Sequence, residues 1–167
     1  MTRASRRFRR VPLPEHRPFT VEIWAKHDAL DSSTYYQYLA SAAEGNSSGF
    51  RDGWGIYVTP STSANSRFET YAIDGGERGT SSKHSSDGVW TQYVAIVDAQ
   101  KKMTLYVDGV PGTAAAAVRM PETKADLLFA TQNGALGSFL GAIDEVSIYG
   151  KALSPARIDA HRHAAGR

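Results

Sequence analysis

The sequence predicts an all-β sandwich. Short stretches that alternate apolar and polar residues follow one another along most of the chain. Gly-, Ser-, Asn- and Asp-rich turns separate them, and the only strong helix start lies near the C-terminus. Period-two alternation places one face of a strand on a core, and many such strands with a single terminal helix fit two packed antiparallel sheets. No repeat of 20–50 residues is visible, which removes propellers and solenoids.

Pro12, Pro14 and Pro18 punctuate the start, and each disfavours helix in the residue before it. Phe19 to Lys26 is the first clear strand, with Phe19, Val21, Ile23 and Ala25 on one face and Thr20, Glu22, Trp24 and Lys26 on the other. Tyr35 to Ala43 follows as a tyrosine-rich strand, alternating Tyr36, Tyr38 and Ala40 against Tyr35, Gln37 and Leu39. Glu44 to Gly53 reads as a loop, Trp54 to Thr59 as a strand, and Arg67 to Ile73 as another. Asp74 to Gly88 has no apolar character and reads as a long loop. Trp90 to Asp98 is apolar on both faces, so it belongs in the middle of a sheet covered on both sides. Lys102 to Asp108 runs back from it, and Asp108-Gly109 is a hairpin signal for a strand from Val110. Ala114 to Val118 reads as a small-residue strand or loop, Leu127 to Ala130 as a short strand, and Thr131 to Ser138 as a Gly-rich loop.

The stretch Phe139 to Ile158 closes the chain's organisation. Ile143, Val146 and Ile148 break parity, since strict alternation would send Ile143 away from the other two. A bulge at Asp144-Glu145 would bring all three to the core. Ser154 then caps a helix that has Pro155 at its first position.

Length and composition set further bounds. A chain of 167 residues is most simply one domain and has enough core to fold unaided. With no cysteine there is no disulfide framework, thiolate nucleophile or thiolate metal site. No apolar run reaches the length of a membrane span, and the first residues lack the apolar centre of a signal peptide, so any export signal is expected upstream. Six arginines against Glu15 give residues 1–17 a charge of +5, which takes the remaining 150 residues from the overall +2 to −3. An acidic body offers no basic stripe to extend such an arm, so no nucleic-acid interface is expected. The expected division is a basic arm or remnant first strand over 1–18, a sandwich over 19–160 and a tail over 161–167.

FTVEIWAK, GWGIYV, WTQYVAIVD, LYVDG and GAIDEVSIYGKALSPARI, in this order and spacing, resemble the laminin G-like domains of the concanavalin A-like lectin/glucanase superfamily. The resemblance runs from about Phe19 to Ile158. It implies a jelly-roll β-sandwich of two antiparallel sheets with a short C-terminal helix. It further implies a non-catalytic module that binds carbohydrate through rim loops, often beside a calcium ion, at the cell surface or outside the cell and within a larger polypeptide. The alternative is a protein-interaction or structural module. Enzymes of this architecture carry Glu-x-Asp-x-x-Glu on one strand, and no such run occurs here. Adjacent Asp144 and Glu145 would point to opposite faces of a regular strand, the wrong arrangement for an acid and nucleophile pair. Family members also usually open with a Phe-Asp-Gly strand, where this chain has RFRRVPLP.

The candidate sites follow from chemistry as well as resemblance. Asp144 is a candidate calcium ligand, weighed against a carboxylate that bonds backbone amides at the bulge. Glu145 reads as structural. Sugar faces stack on aromatic rings beside polar groups, which makes Trp54, Tyr57 and Tyr71 candidates, with Asp52, Gln132 and Asn133 as polar contacts and Asp74, Glu77 and His84 as further ones. Trp54 is also a core candidate, and Trp24 and Trp90 read as core. His161 and His163, two residues apart on a helix, read as solvated.

Overall fold

The computed structural model describes residues 7–8, 17–28, 36–46, 49–59, 65–72, 76–83, 87–117, 125–131 and 137–166. The strands are β1 (Arg7–Phe8), β2 (Phe19–His27), β3 (Gln37–Asn46), β4 (Gly49–Val58), β5 (Asn65–Ala72) and β6 (Gly76–Lys83), then β7 (Thr91–Val97), β8 (Lys102–Val107), β9 (Val110–Pro111), β10 (Ala115–Ala116), β11 (Leu127–Phe129) and β12 (Gly141–Tyr149), and the one helix is α1 (Pro155–Ala164). They form two antiparallel sheets. The first has the order β1-β11-β3-β4-β5-β6, and the second β10-β8-β7-β2-β12, with β9 added to β8.

The core lies between the sheets. Leu39, Trp54, Ile56 and Phe68 come from the first, and Phe19, Val21, Ile23, Tyr93 and Leu105 from the second. Phe19 ties the halves together, 6.2 Å from the Trp54 ring and edge-on to Phe68 at 6.5 Å. As its doubly apolar pattern predicts, β7 is buried at every position and sits between β2 and β8.

The bulge in β12 is present. Asp144 faces Trp24 and Ser147 faces Glu22, so Glu145 and Val146 together oppose the single residue Ile23. Ile143, Val146 and Ile148 all pack on the core. A second bulge does the same for β3. Its register shifts between Tyr38 and Ala40, which lets consecutive Leu39 and Ala40 both join the core while Tyr38 faces away.

Several sequence expectations are corrected. Glu44 to Gly53 is not a loop, because β3 runs to Asn46 and β4 begins at Gly49. Asp74 to Gly88 contains β6, an edge strand paired along its length with β5. Its backbone ladder needs no apolar side chains, so hydrophobic patterning passes it by. Within residues 1–18, Arg7–Phe8 forms a two-residue strand paired with Leu127 and Leu128. A tail from 161 is wrong: α1 runs unbroken through Ala164, capped at its start by Ser154, whose Oγ accepts from Arg157 N at 3.3 Å.

His27 ends β2 in a buried position, its Nε2 3.2 Å from the Tyr93 hydroxyl and its ring 5.5 Å from that of Phe139. Burial pushes its pKa below the ordinary 6.5, against the opposing pull of the Asp87 and Asp28 carboxylates. The unfolded chain therefore takes up a proton that the folded one resists, and the stability that His27 lends above 6.5 is lost as pH falls towards its lowered value. Melts across that range are expected to show a decline on the acid side that His27→Gln flattens.

Candidate functional site

Two outward faces of the sandwich carry unusual groups. The first is a tyrosine ledge on the outer face of the first sheet. Tyr57 alternates against the inward Ile56 and Val58, so it points away from the core, directly across from Tyr38. Its ring centroid is 4.9 Å from Tyr38 and 4.9 Å from Tyr36. Tyr38 and Tyr57 are buried, whereas Tyr36 is 47% exposed, which leaves one ring open to a ligand and two supporting it. Arg67 pairs with Tyr57 in the next strand and so shares this face.

Thr131 and Gly137 are each bonded to β3. Ser41 Oγ donates to Thr131 O at 3.2 Å, and Tyr38 N donates to Gly137 O at 2.8 Å. Gly137 adopts a φ of 66°, and a Cβ there would lie 2.7 Å from Tyr38 Cδ2. Only glycine allows the backbone so close to the ring in that conformation.

The second feature lies on the outer face of the second sheet, beneath α1. Glu22 has a side-chain exposure of only 6%. It accepts from Gln92 Nε2 at 2.7 Å and from the Tyr149 hydroxyl at 3.2 Å, and its Oε2 lies 2.8 Å from His161 Nδ1. Burial, with the Glu22 charge adding to it and a Ser147 hydrogen bond opposing, raises the Tyr149 pKa above the ordinary phenol value, so this phenol stays neutral. The helix is held by a small apolar cluster of Ile158 and Leu153 on Val94 and Ile96. Between its C-terminal end and β12 lies a pocket of about 290 Å³ that Glu22, Trp24, Glu145, Ser147, Tyr149 and His161 help to line.

The residues singled out from sequence are scattered. Trp54 is 0% exposed, so its ring offers no face to a sugar and its core reading holds. Tyr57 is 2% exposed and serves as backing for Tyr36. Asp52 lies in β4 five residues before Tyr57, roughly 17 Å along the strand, and therefore does not join it. Tyr71 pairs with Gly53 near that same distant end. Gln132, Asn133, Asp74 and His84 lie outside the described residues, as does the side chain of Glu77. Trp24 is buried as expected, but on the outer face under α1; Trp90 is half-buried, its ring 5.7 Å from Lys26 Nζ.

Asp144 is exposed, and its Oδ1 accepts from Glu145 N at 2.9 Å, which is the bulge-capping bond. Among the described residues no group of three or more Asp, Glu, His or Cys is placed to hold a metal ion. In the bulge Asp144 pairs with outward Trp24, and Glu145 lines the outer pocket. Sequence reading missed Tyr36 as the open ring and His161 as a partner of Glu22. The first was signalled by tyrosines at 36, 38 and 57; the second had no local signal, since 139 residues separate the pair.

These elements define a two-sheet jelly-roll sandwich. A laminin G-type family profile described as the concanavalin A-like lectin/glucanases superfamily matches residues 4–159, and the chain belongs to that family. No curated protein sequence matches it. Among solved structures, the Ruminococcus gnavus IT-sialidase CBM40 superposes with a TM-score of 0.71 at 16% identity, covering 88% of this chain and 83% of that one. The same domain bound to α2,3-sialyllactose gives 0.71 at 16% identity, with 87% and 83% covered. The botulinum neurotoxin serotype G binding domain gives 0.70 at 10% identity; 90% of this chain is covered but only 37% of the toxin domain. At these identities the likeness is one of fold. No helix among the described residues is long and apolar enough to cross a membrane.

Proposed function

We propose that this protein is a non-catalytic recognition module that binds carbohydrate on the tyrosine ledge, at the cell surface or outside the cell and as part of a larger polypeptide. The observation that carries this reading is the half-exposed Tyr36 ring backed by Tyr57 at 4.9 Å. A sugar presents an apolar C–H face to such a ring and its hydroxyls to polar neighbours such as Arg67. The solved complex of the CBM40 fold with sialyllactose supports a glycan as the ligand class. The absence of chemistry is supported by Glu22, the buried carboxylate of the outer pocket, whose two oxygens are already engaged by the protein's own groups.

Glycan-array binding followed by titration tests the reading. Tyr36→Ala is expected to weaken binding about tenfold, the equivalent of one lost stacking contact, without moving the melting midpoint. The family resemblance implies calcium assistance with Asp144 as a ligand, and calcium is then expected to raise the melting midpoint and tighten binding, whereas an unchanged midpoint and affinity after chelation would remove calcium from this reading.

Protein docking is the second reading, favoured by exposed Val89 and Val110 beside the β7 and β8 ends of the second sheet. A clean negative on glycans together with a partner captured through those valines would replace the first reading with this one.

A further inference from the structure

Where β2 finishes and β3 starts, the layer between the sheets is built largely from polar side chains. Residues paired across an antiparallel ladder share a face, so Gln37, Val58 and Ser66, in line across β3, β4 and β5, all point inward. Ser66 stands two residues before the inward Phe68, which fixes its side independently. On the second sheet, inward Ala25 and Ile23 pair with Thr91 and Tyr93, and His27 continues the same alternation. The Tyr93 hydroxyl lies 3.2 Å from His27 Nε2. The Leu140 peptide joins the two sheets here, its N donating to Gln37 Oε1 at 3.1 Å and its O accepting from Asp28 N at 3.1 Å.

Two of these groups are left over in the bonding. A backbone N–H can only donate, so the Gln37 oxygen is the atom that faces Leu140 and the amide NH2 points elsewhere. Gln37 is 1% exposed and Ser66 is 0% exposed. Among the described residues, neither Gln37 Nε2 nor Ser66 Oγ has a hydrogen-bond partner. Buried polar groups without partners are costly and rare in native interiors, and here two of them flank a single valine. Their Cα atoms are roughly 10 Å apart, twice the spacing of neighbouring strands. Val58 and Ser66 are short side chains on a sheet whose partner lies about 10 Å away, which leaves room above the valine.

The occupant of that room has to be small, because the layer is closed to solvent, and it has to accept from an amide while also bonding a hydroxyl. An ion would need a counter-charge, and the layer holds none: burial pushes the His27 pKa below its ordinary 6.5, so the ring is neutral at pH 7. Water meets every requirement, and buried water characteristically sits on such otherwise unbonded groups.

We infer that a short chain of bound water runs between the sheets over Val58, from Gln37 Nε2 to Ser66 Oγ. It completes the bonding of the first sheet at the end where Gln37 also ties down Leu140. The site lies inside the sandwich, whereas the tyrosine ledge lies on the outer face, so it stands apart from the glycan reading.

NMR of the full chain in water tests this in two ways. The parent is expected to show a rotating-frame Overhauser contact between water and the Val58 methyl groups, whose protons do not exchange. Ser66→Val fills the space with methyl groups and suits a strand. It is expected to abolish that contact and to lower the oxygen-17 relaxation dispersion of water, a readout blind to hydroxyl-proton exchange. Tyr36→Ala, on the ledge, is expected to leave both signals in place. A parent without the Val58 contact, or a Ser66→Val variant with unchanged oxygen-17 dispersion, would overturn the inference.

Discussion

Trp54→Ala is expected to cost about 3–5 kcal/mol of folding stability, read by urea denaturation, and to leave glycan affinity per folded molecule unchanged. The indole is fully buried between the sheets and meets Phe19 at 6.2 Å, so its removal opens a cavity at the point where the two layers lock. Its Nε1 has no hydrogen-bond partner, which means that the wild-type protein already bears the cost of burying a polar N–H. Trp54→Phe is therefore expected to lose much less than the alanine variant. An alanine variant that melted like the parent yet lost binding would return Trp54 to the ligand site.

Glu22→Ala is expected to cost about 3 kcal/mol and to loosen α1 from the sheet. The carboxylate gathers Gln92 from β7, Tyr149 from β12 and His161 from α1, and its loss leaves three polar groups without their shared acceptor. Gln92, fully buried, is the costliest of the three because water does not reach it, whereas half-buried Tyr149 and His161 recover part of their bonding from solvent. Hydrogen exchange reads the distinction: amides of residues 158–164 should lose protection ahead of global unfolding, while β7 keeps its own. Glu22→Gln, which retains one acceptor oxygen, should fall between the two. Uniform loss of protection across the chain would mean that the cluster serves the sandwich as a whole.

Where side-chain patterning alone decides position, the sequence was readable. The broken parity of Ile143, Val146 and Ile148 required a bulge, and β12 has one. Continuous apolar character placed β7 at the centre of a covered sheet. Legibility ended where backbone pairing or distant contacts took over. Thr20 and Glu22 alternate as solvent-facing residues would, yet both are buried, because a helix more than 130 residues away covers them and Thr20 Oγ1 bonds Lys151 O. His161 looked solvated for the same reason. On the first sheet, three tyrosines marked an aromatic surface, but the bulge at Leu39 decides which of them faces outward, and alternation alone misassigned Ala40.

The bulge in β12 also bears on chain length. Without Glu145 the strand would read Ile143, Asp144, Val146, Ser147, Ile148, an unbroken in-and-out order opposite Ala25 to Val21. Glu145 holds a φ of 47°, a conformation that costs a residue with a side chain roughly 1–2 kcal/mol. The sandwich would thus close with one residue fewer and with less strain. Glu145 is the inserted residue, and what it adds is a carboxylate on the outer surface beside α1.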